Sequence, residues 1–263
     1  MTVPLVLNFQ IVLLLFARIL AMMQTAPLLS SAAVPALARV GLAMFVAAAV
    51  FPWVAEAGYP LPDSGVHYFL LIVGEVFLGL LMGFFLQLIF AAFQVAGQFF
   101  SLQMGFGASQ VFDPLAQIEI PLMGQFINIM AMFIFLTVAG FQKLLLVGVM
   151  RSFQLVRAYD LVTGREYLFS LLLRSLGKLF QQALVISFPI LGTLLLVSVT
   201  MGLLAKAAPQ MNLLMMGFPV AIGTAFAVLV LAMPFLASAF ARIIEGSFDS
   251  LLEVLRSIGG GGG

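Results

Sequence analysis

Arg18, Glu75, Asp113 and Glu119 are charged residues set in or beside long apolar stretches. A charge at membrane depth is costly, and such residues serve proton relays, ion paths or paired contacts. Plainer readings are a helix end or a structural ion pair. Glu75 lies near a helix start, where a carboxylate suits the dipole, and Asp113 precedes Pro114 in a turn. His67 is the single histidine and lies beside a Pro/Gly-rich stretch, as a solvated loop residue would. Alone it makes no Ser-His-Asp arrangement. Ser175-Leu176-Gly177-Lys178-Leu179 lacks both the glycine-rich approach and the hydroxyl of a phosphate-binding loop. The chain has no cysteine, which removes disulfides, thiolate zinc sites and iron–sulfur clusters. These residues imply no enzyme, no cofactor and no metal.

The remaining polar pattern concerns passage and packing. Gln87, Gln94, Gln98 and Ser101 fall at i, i+7, i+11 and i+14. At about 100° per residue they share an arc of roughly 60° on one helix face. A neutral amide stripe in a membrane helix either bonds to other helices or lines a wet pathway. The stripe runs into Gln103-Met104-Gly105-Phe106-Gly107-Ala108, followed by Phe112-Asp113-Pro114. Two glycines and a proline predict irregular backbone, which membranes tolerate only inside protein or beside a hydrated cavity. Adaptable methionine and the aromatics would let such a loop close a pore and yield; an ordinary interfacial loop is the plainer reading. Gly79 and Gly83, with Glu75 one turn earlier, form a small-residue string for close helix approach.

These side chains need long apolar helices to position them. Of 263 residues, 63% are hydrophobic and 8% charged, with a net charge of +1. Soluble domains carry about a quarter charged residues, so the natural solvent is a bilayer, and nothing favours nucleic acid. Proline, glycine and charge positions predict six helical segments, at 5–24, 36–54, 67–102, 120–157, 166–206 and 211–256. The fold class is all-α, a polytopic membrane protein of long, partly broken helices. No period-two alternation supports a barrel. The charge-free run Val76–Phe112 would reach about 55 Å as one helix, against a hydrocarbon core of about 30 Å. It must tilt, break or leave the bilayer inside an assembly. Residues 1–17 carry no charge, which fits a retained helix better than a signal peptide. Arg151, Arg157 and Arg165 favour a cytoplasmic fourth connection. Residues 1–258 read as one domain, and 259–263 as a glycine-rich linker or appended tail.

Ala208-Pro209-Gln210-Met211-Asn212 followed by Gly217-Phe218-Pro219 resembles the signature of the FliR family of export-gate proteins. Ala17-Arg18, Ala26-Pro27, Val34-Pro35, Gly74-Glu75, Gly79 to Gly83, Gln103 to Phe106 and Asp113-Pro114 are similar to that family in the same order. The resemblance implies a subunit of a type III export gate, flagellar rather than injectisomal. FliP-like and FliQ-like membrane subunits would be partners in a helical hetero-oligomer, with FlhB-like and FlhA-like export proteins as further contacts. Unfolded flagellar proteins would pass through the centre, across the bacterial inner membrane at the flagellar basal body. Met104, Gly105, Phe106, Gly107, Ala108 and Phe112 would form a plug. Glu75, Gly79, Gly83, Asp113, Pro114, Pro209, Gln210, Asn212, Gly217, Phe218 and Pro219 are the family-motif and packing positions.

Two other classes stay open on the residues alone. A small-solute or ion transporter would favour inverted repeats and paired midplane charges. A membrane scaffold would keep the amide stripe and glycine loop buried and dry.

Overall fold

The computed structural model describes residues 2–31, 33–62, 64–105, 122–159, 165–210 and 212–259. Its elements are α1 (Thr2–Thr25), α2 (Ala36–Glu56), α3 (Gly65–Gln103), α4 (Leu122–Thr137), α5 (Gly140–Leu155), α6 (Arg165–Ala207) and α7 (Leu213–Gly259). No strand occurs among the described residues. Five helices are long and apolar enough to cross a membrane, and six spans result if the bent pair α4–α5 counts as one. The chain is therefore an all-α, polytopic membrane protein.

Local chemistry explains the boundaries. Pro27 cannot continue α1, and Leu28 follows in a left-handed conformation, φ 69°. Pro35 precedes α2 with φ −58° and ψ 140°, a position where its missing N–H costs nothing. Gly58, at φ 72°, terminates α2, its N–H donating to the Ala55 carbonyl at 3.3 Å. Pro60 and Pro62 then prevent helix until Gly65. α7 runs past the expected helix end at 256 to Gly259, the first residue of the expected tail; the rest of the glycine tail lies outside the described residues.

The continuous helix expected at 120–157 is broken. Ala139 adopts φ 55°, and α4 and α5 diverge by 74°. No proline marks the break. The Ile134 carbonyl accepts both the Thr137 hydroxyl at 2.8 Å and the Val138 N–H at 3.0 Å, so the ladder is intact up to the break. α5 then widens into a π-helical stretch over Leu144–Arg151.

The described residues pack as two compact units. One comprises Met1–Leu88, Ala139–Ser175 and Glu245–Gly263; the other comprises Ile89–Val138 and Leu176–Ile244. In the first, Leu14, Leu71 and Ala158 form a buried cluster edged by Tyr59, Leu61, Tyr68 and Ile72. There Gly79 and Gly83 bring α3 onto α1: a Cβ on Gly79 would stand 2.9 Å from that of Ala21, and one on Gly83 would be 2.6 Å from the Met22 carbonyl. In the second, Phe90 meets Phe135 edge-on at 5.6 Å, and Phe93 lies 4.5 Å from Phe240. Gly97 of α3 crosses Gly124 of α4 so closely that a Cβ on Gly97 would sit 2.5 Å from the Gly124 Cα.

The helices are long. α3, α6 and α7 have 39, 43 and 47 residues, or about 60–70 Å each at 1.5 Å per residue. Pro189 lies inside α6, and Pro219 and Pro234 inside α7. Such prolines are tolerated in membrane helices, where neighbouring groups satisfy the freed backbone.

Candidate functional site

The charges inside the apolar stretches meet in the first unit. Arg18 Nε forms an ion pair with Glu75 Oε2, the two side chains being 1% and 0% exposed. Arg18 Nη1 donates to Ser152 Oγ at 3.2 Å, and Nη2 donates to the Val156 carbonyl at 3.1 Å. The guanidinium carbon lies 3.8 Å from the centre of the Phe153 ring, a cation–π contact. Glu75 Oε1 accepts from the Tyr59 hydroxyl. All three guanidinium nitrogens and both carboxylate oxygens are thus engaged. Burial, reinforced by the charge of Glu75, raises the Tyr59 phenol well above its ordinary range, so it remains a neutral donor.

Each partner reaches this point for a local reason. Arg18 faces inward from α1 between Leu15 and Met22, both buried. Glu75 lies well past the first turn of α3, so the helix-start reading gives way to a buried pair. Tyr59 comes from the stretch after Gly58. The π-helical stretch ends at Ser152, whose hydroxyl donates back to Gly148 at 2.8 Å and accepts from Arg18. Gly148 itself lies against Met22, whose Sδ would be 2.6 Å from an added Cβ. A charge network satisfied this fully rigidifies its surroundings, whereas one left half satisfied would be costly. Its chemistry is that of a clamp, with no open face for an ion or a substrate proton.

The second unit holds the remaining motif residues. Met104 is buried at the end of α3, and Gly105 turns left-handed at φ 88°. The Phe218 ring fills the space that a Cβ on Gly105 would need. Gln103 Nε2 donates to Ser198 Oγ at 3.4 Å. Asn212 opens α7, its Oδ1 accepting from the Met215 N–H at 3.3 Å as an N-cap does. Pro209, Gln210, Asn212 and Pro219 are exposed, while Gly217 and Phe218 are half-buried. Phe106, Gly107, Ala108, Phe112, Asp113 and Pro114 lie outside the described residues, as does Glu119.

The amide stripe lies open on the isolated chain. Gln87 and Gln98 are exposed, and Gln94 and Ser101 are half-buried. No hydrogen bond among the described residues holds the amides of Gln87, Gln94 and Gln98. The Gln94 carbonyl and the Gln98 stem flank Gly124, at 2.7 and 3.5 Å from where its Cβ would be. His67 is exposed, and no cluster able to hold a metal occurs among the described residues.

The sequence singled out Arg18 and Glu75 but not their partners Tyr59, Ser152 and Phe153, nor Ser198. Two lone opposite charges in separate apolar helices were the available signal for the pair. Nothing in the composition of 152–156 marks it as their destination.

Long apolar helices and proline-interrupted spans, with the charges of the apolar stretches consumed by internal packing, define a polytopic membrane protein. The sequence pattern of the bacterial export proteins, family 1, matches residues 9–247, and the chain belongs to that family, as a member of its FliR branch. It is 33% identical to the flagellar biosynthetic protein FliR of Bacillus subtilis, over 95% of both chains. Against the protein of the same name from Borreliella burgdorferi, identity is 36% over 75% of this chain and 74% of that one. Against that of Escherichia coli it is 29%, over 92% and 91%.

Proposed function

We propose that this chain is a pore-forming core subunit of the flagellar type III export gate, through which unfolded flagellar proteins cross the bacterial inner membrane at the basal body. One observation carries the reading. In the spans Leu172–Ala207 and Met215–Gly259, only 22% and 17% of the most apolar window is buried within the chain. At 36 and 45 residues, these helices reach about 55–65 Å, roughly twice a hydrocarbon core. Lipid can cover one bilayer's depth of that surface. The remainder needs protein neighbours, for which FliP-like and FliQ-like membrane subunits are the fitting partners, with FlhB-like and FlhA-like export proteins at the periphery. The flagellar names of the relatives favour flagellar over injectisomal export.

In this reading residues 1–258 act as one membrane-embedded domain. Gln87, Gln94, Gln98 and Ser101 line the passage with neutral amides, which wet it without selecting ions. The segment from Met104 to Phe112 forms the plug, and Asp113-Pro114 ends it. No catalytic step is assigned, so the energy for transport comes from partners or an ion gradient. The test is native mass spectrometry of the chain co-expressed with its genomic neighbours and extracted in mild detergent. One copy bound to several copies of two other small membrane proteins is expected. A stable monomer or homodimer would overturn the reading and direct attention to solute flux.

A further inference from the structure

A cavity of about 340 Å³ lies in the first unit, beside the Arg18 network. Trp53, Val54 and Tyr59 wall it from α2 and the stretch that follows; Phe153, Gln154 and Arg157 wall it from the end of α5. Its volume falls within the range of about 300–1,000 Å³ found for small-molecule sites. Val54 and Phe153 are buried and form the floor, whereas Ala57, Gly58, Gln154 and Arg157 are exposed at the mouth. The polar part of this wall consists of donors. Gln154 Oε1 already accepts from Arg151 Nη1 at 3.3 Å, so the amide nitrogen is the end left to donate. No hydrogen bond among the described residues takes the Trp53 indole N–H. Arg157 adds a guanidinium, whose five N–H donors serve several acceptors at once. The Glu75 carboxylate behind Tyr59 is consumed by Arg18 and the Tyr59 hydroxyl, and Glu56 is exposed and outside the wall. A cation would meet Arg157 there, while an anion with an apolar body would meet donors set among aromatic rings.

The position of the cavity narrows the ligand. α2 has 21 residues, about 30 Å, which is one hydrocarbon core. The cavity lies at its far end, where the bent span closing at Leu155 also stops. Tryptophan and arginine at the ends of spans are the side chains of the headgroup layer. We propose that this cavity receives the headgroup of an anionic phospholipid, its phosphate held by Arg157 and the Gln154 amide nitrogen and its glycerol set against Trp53 and Phe153. The site goes beyond the pore reading and stands without it.

The test uses the full chain, delipidated in mild detergent. Trp53 is the single tryptophan and stands in the wall, so its emission reads occupancy. Short-chain phosphatidylglycerol should change that emission saturably. Arg157→Gln should raise the midpoint about tenfold, as for the loss of one charge-assisted hydrogen bond, and Arg157→Lys should raise it less. Ala57→Leu narrows the mouth and leaves the charge in place; it should also raise the midpoint, which keeps the proposal testable if Arg157→Gln does not fold. Arg174→Gln, exposed on α6 and outside the wall, should bind as the parent does. Phosphatidylcholine, whose ammonium opposes Arg157, should bind more weakly, and so should soluble glycerol 3-phosphate. The absence of saturation, a midpoint unmoved by the two cavity variants, or an equal shift in Arg174→Gln would overturn the site. Glycerol 3-phosphate binding as tightly as the lipid would overturn the lipid source in favour of a soluble phosphate ester. Phosphatidylcholine binding as tightly as phosphatidylglycerol would overturn selection by charge.

Discussion

Replacing Glu75 with leucine removes the counter-charge of Arg18 and leaves the guanidinium where it is. Both side chains are almost wholly enclosed, so neither water nor lipid headgroups can take over. Breaking a buried pair from one side costs about 3–5 kcal/mol. At about 2–4 °C per kcal/mol for chains of roughly this size, Glu75→Leu should lower the Tm by about 10 °C. The Arg18→Met/Glu75→Leu double variant should recover about half of that, because pairs replaced as a unit by apolar residues are often near neutral. Full recovery is not expected, since the Tyr59 hydroxyl and the Val156 carbonyl then lose their partners. The assay is thermal melting in mild detergent followed by tryptophan fluorescence. Trp53 is the single tryptophan, and it lines a cavity of about 340 Å³ together with Tyr59 and Phe153, so it reports on the network directly. If Glu75→Leu melts within about 2 °C of the parent, burial does not set the cost. If the double variant is no better than the worse single, the pair does not act as a unit. Either result refutes the argument.

Tyr59 gives a pH-dependent expectation. Its folded-state pKa is raised above the ordinary 10.0, so its stabilising contribution is complete below that value and is lost as pH climbs beyond it. Alkaline melting should therefore show a decline above pH 10 that is weaker in Tyr59→Phe, which should also melt below the parent at neutral pH. Gly97→Ala should force α3 from α4 and cost about 1–3 kcal/mol, seen as a lower Tm, whereas Gly177→Ala, inside α6 with open space around it, should melt no lower than the parent and up to a few degrees higher. Lys143 Nζ and Glu245 Oε1 form a partly exposed pair at 2.8 Å; Lys143→Ala should change stability by less than about 1 kcal/mol, measured in the same melt.

Much of the helix plan was legible because charges are sparse and several prolines and glycines stand at helix ends, although Pro52, Pro189, Pro219 and Pro234 lie inside helices. Pro27, Pro35, Gly58, Pro60 and Pro209 all fall outside helices, and most observed ends lie within a few residues of those expected. The bend at Ala139 was not legible, since it carries no proline and lies inside an apolar run without a charge. The depth of Glu75 was misjudged although the expected start at 67 lies only two residues from Gly65: a carboxylate that far in is beyond the first turn, where the helix dipole acts. Pairing across 57 positions of sequence, as between Arg18 and Glu75, is a tertiary property, and a periodicity argument contains no term for it. The contact between Gly105 and Phe218 was equally out of reach, although both residues stood out as parts of motifs. A motif names what is present at a position and leaves open what it touches.

The self-sufficiency of the Arg18 network bears on how the molecule is made. Every polar group around Arg18 comes from the same polypeptide, so its enclosure need not wait for another subunit. In the proposed gate, the apolar flanks of α6 and α7 that exceed one bilayer's depth would be finished by neighbours. On that proposal biogenesis would divide into two stages, a core that matures once its own segments have been inserted and flanks that mature on recruitment. A surplus copy would persist in the bilayer half complete, with greasy flanks by which membrane quality control could tell it from an incorporated one.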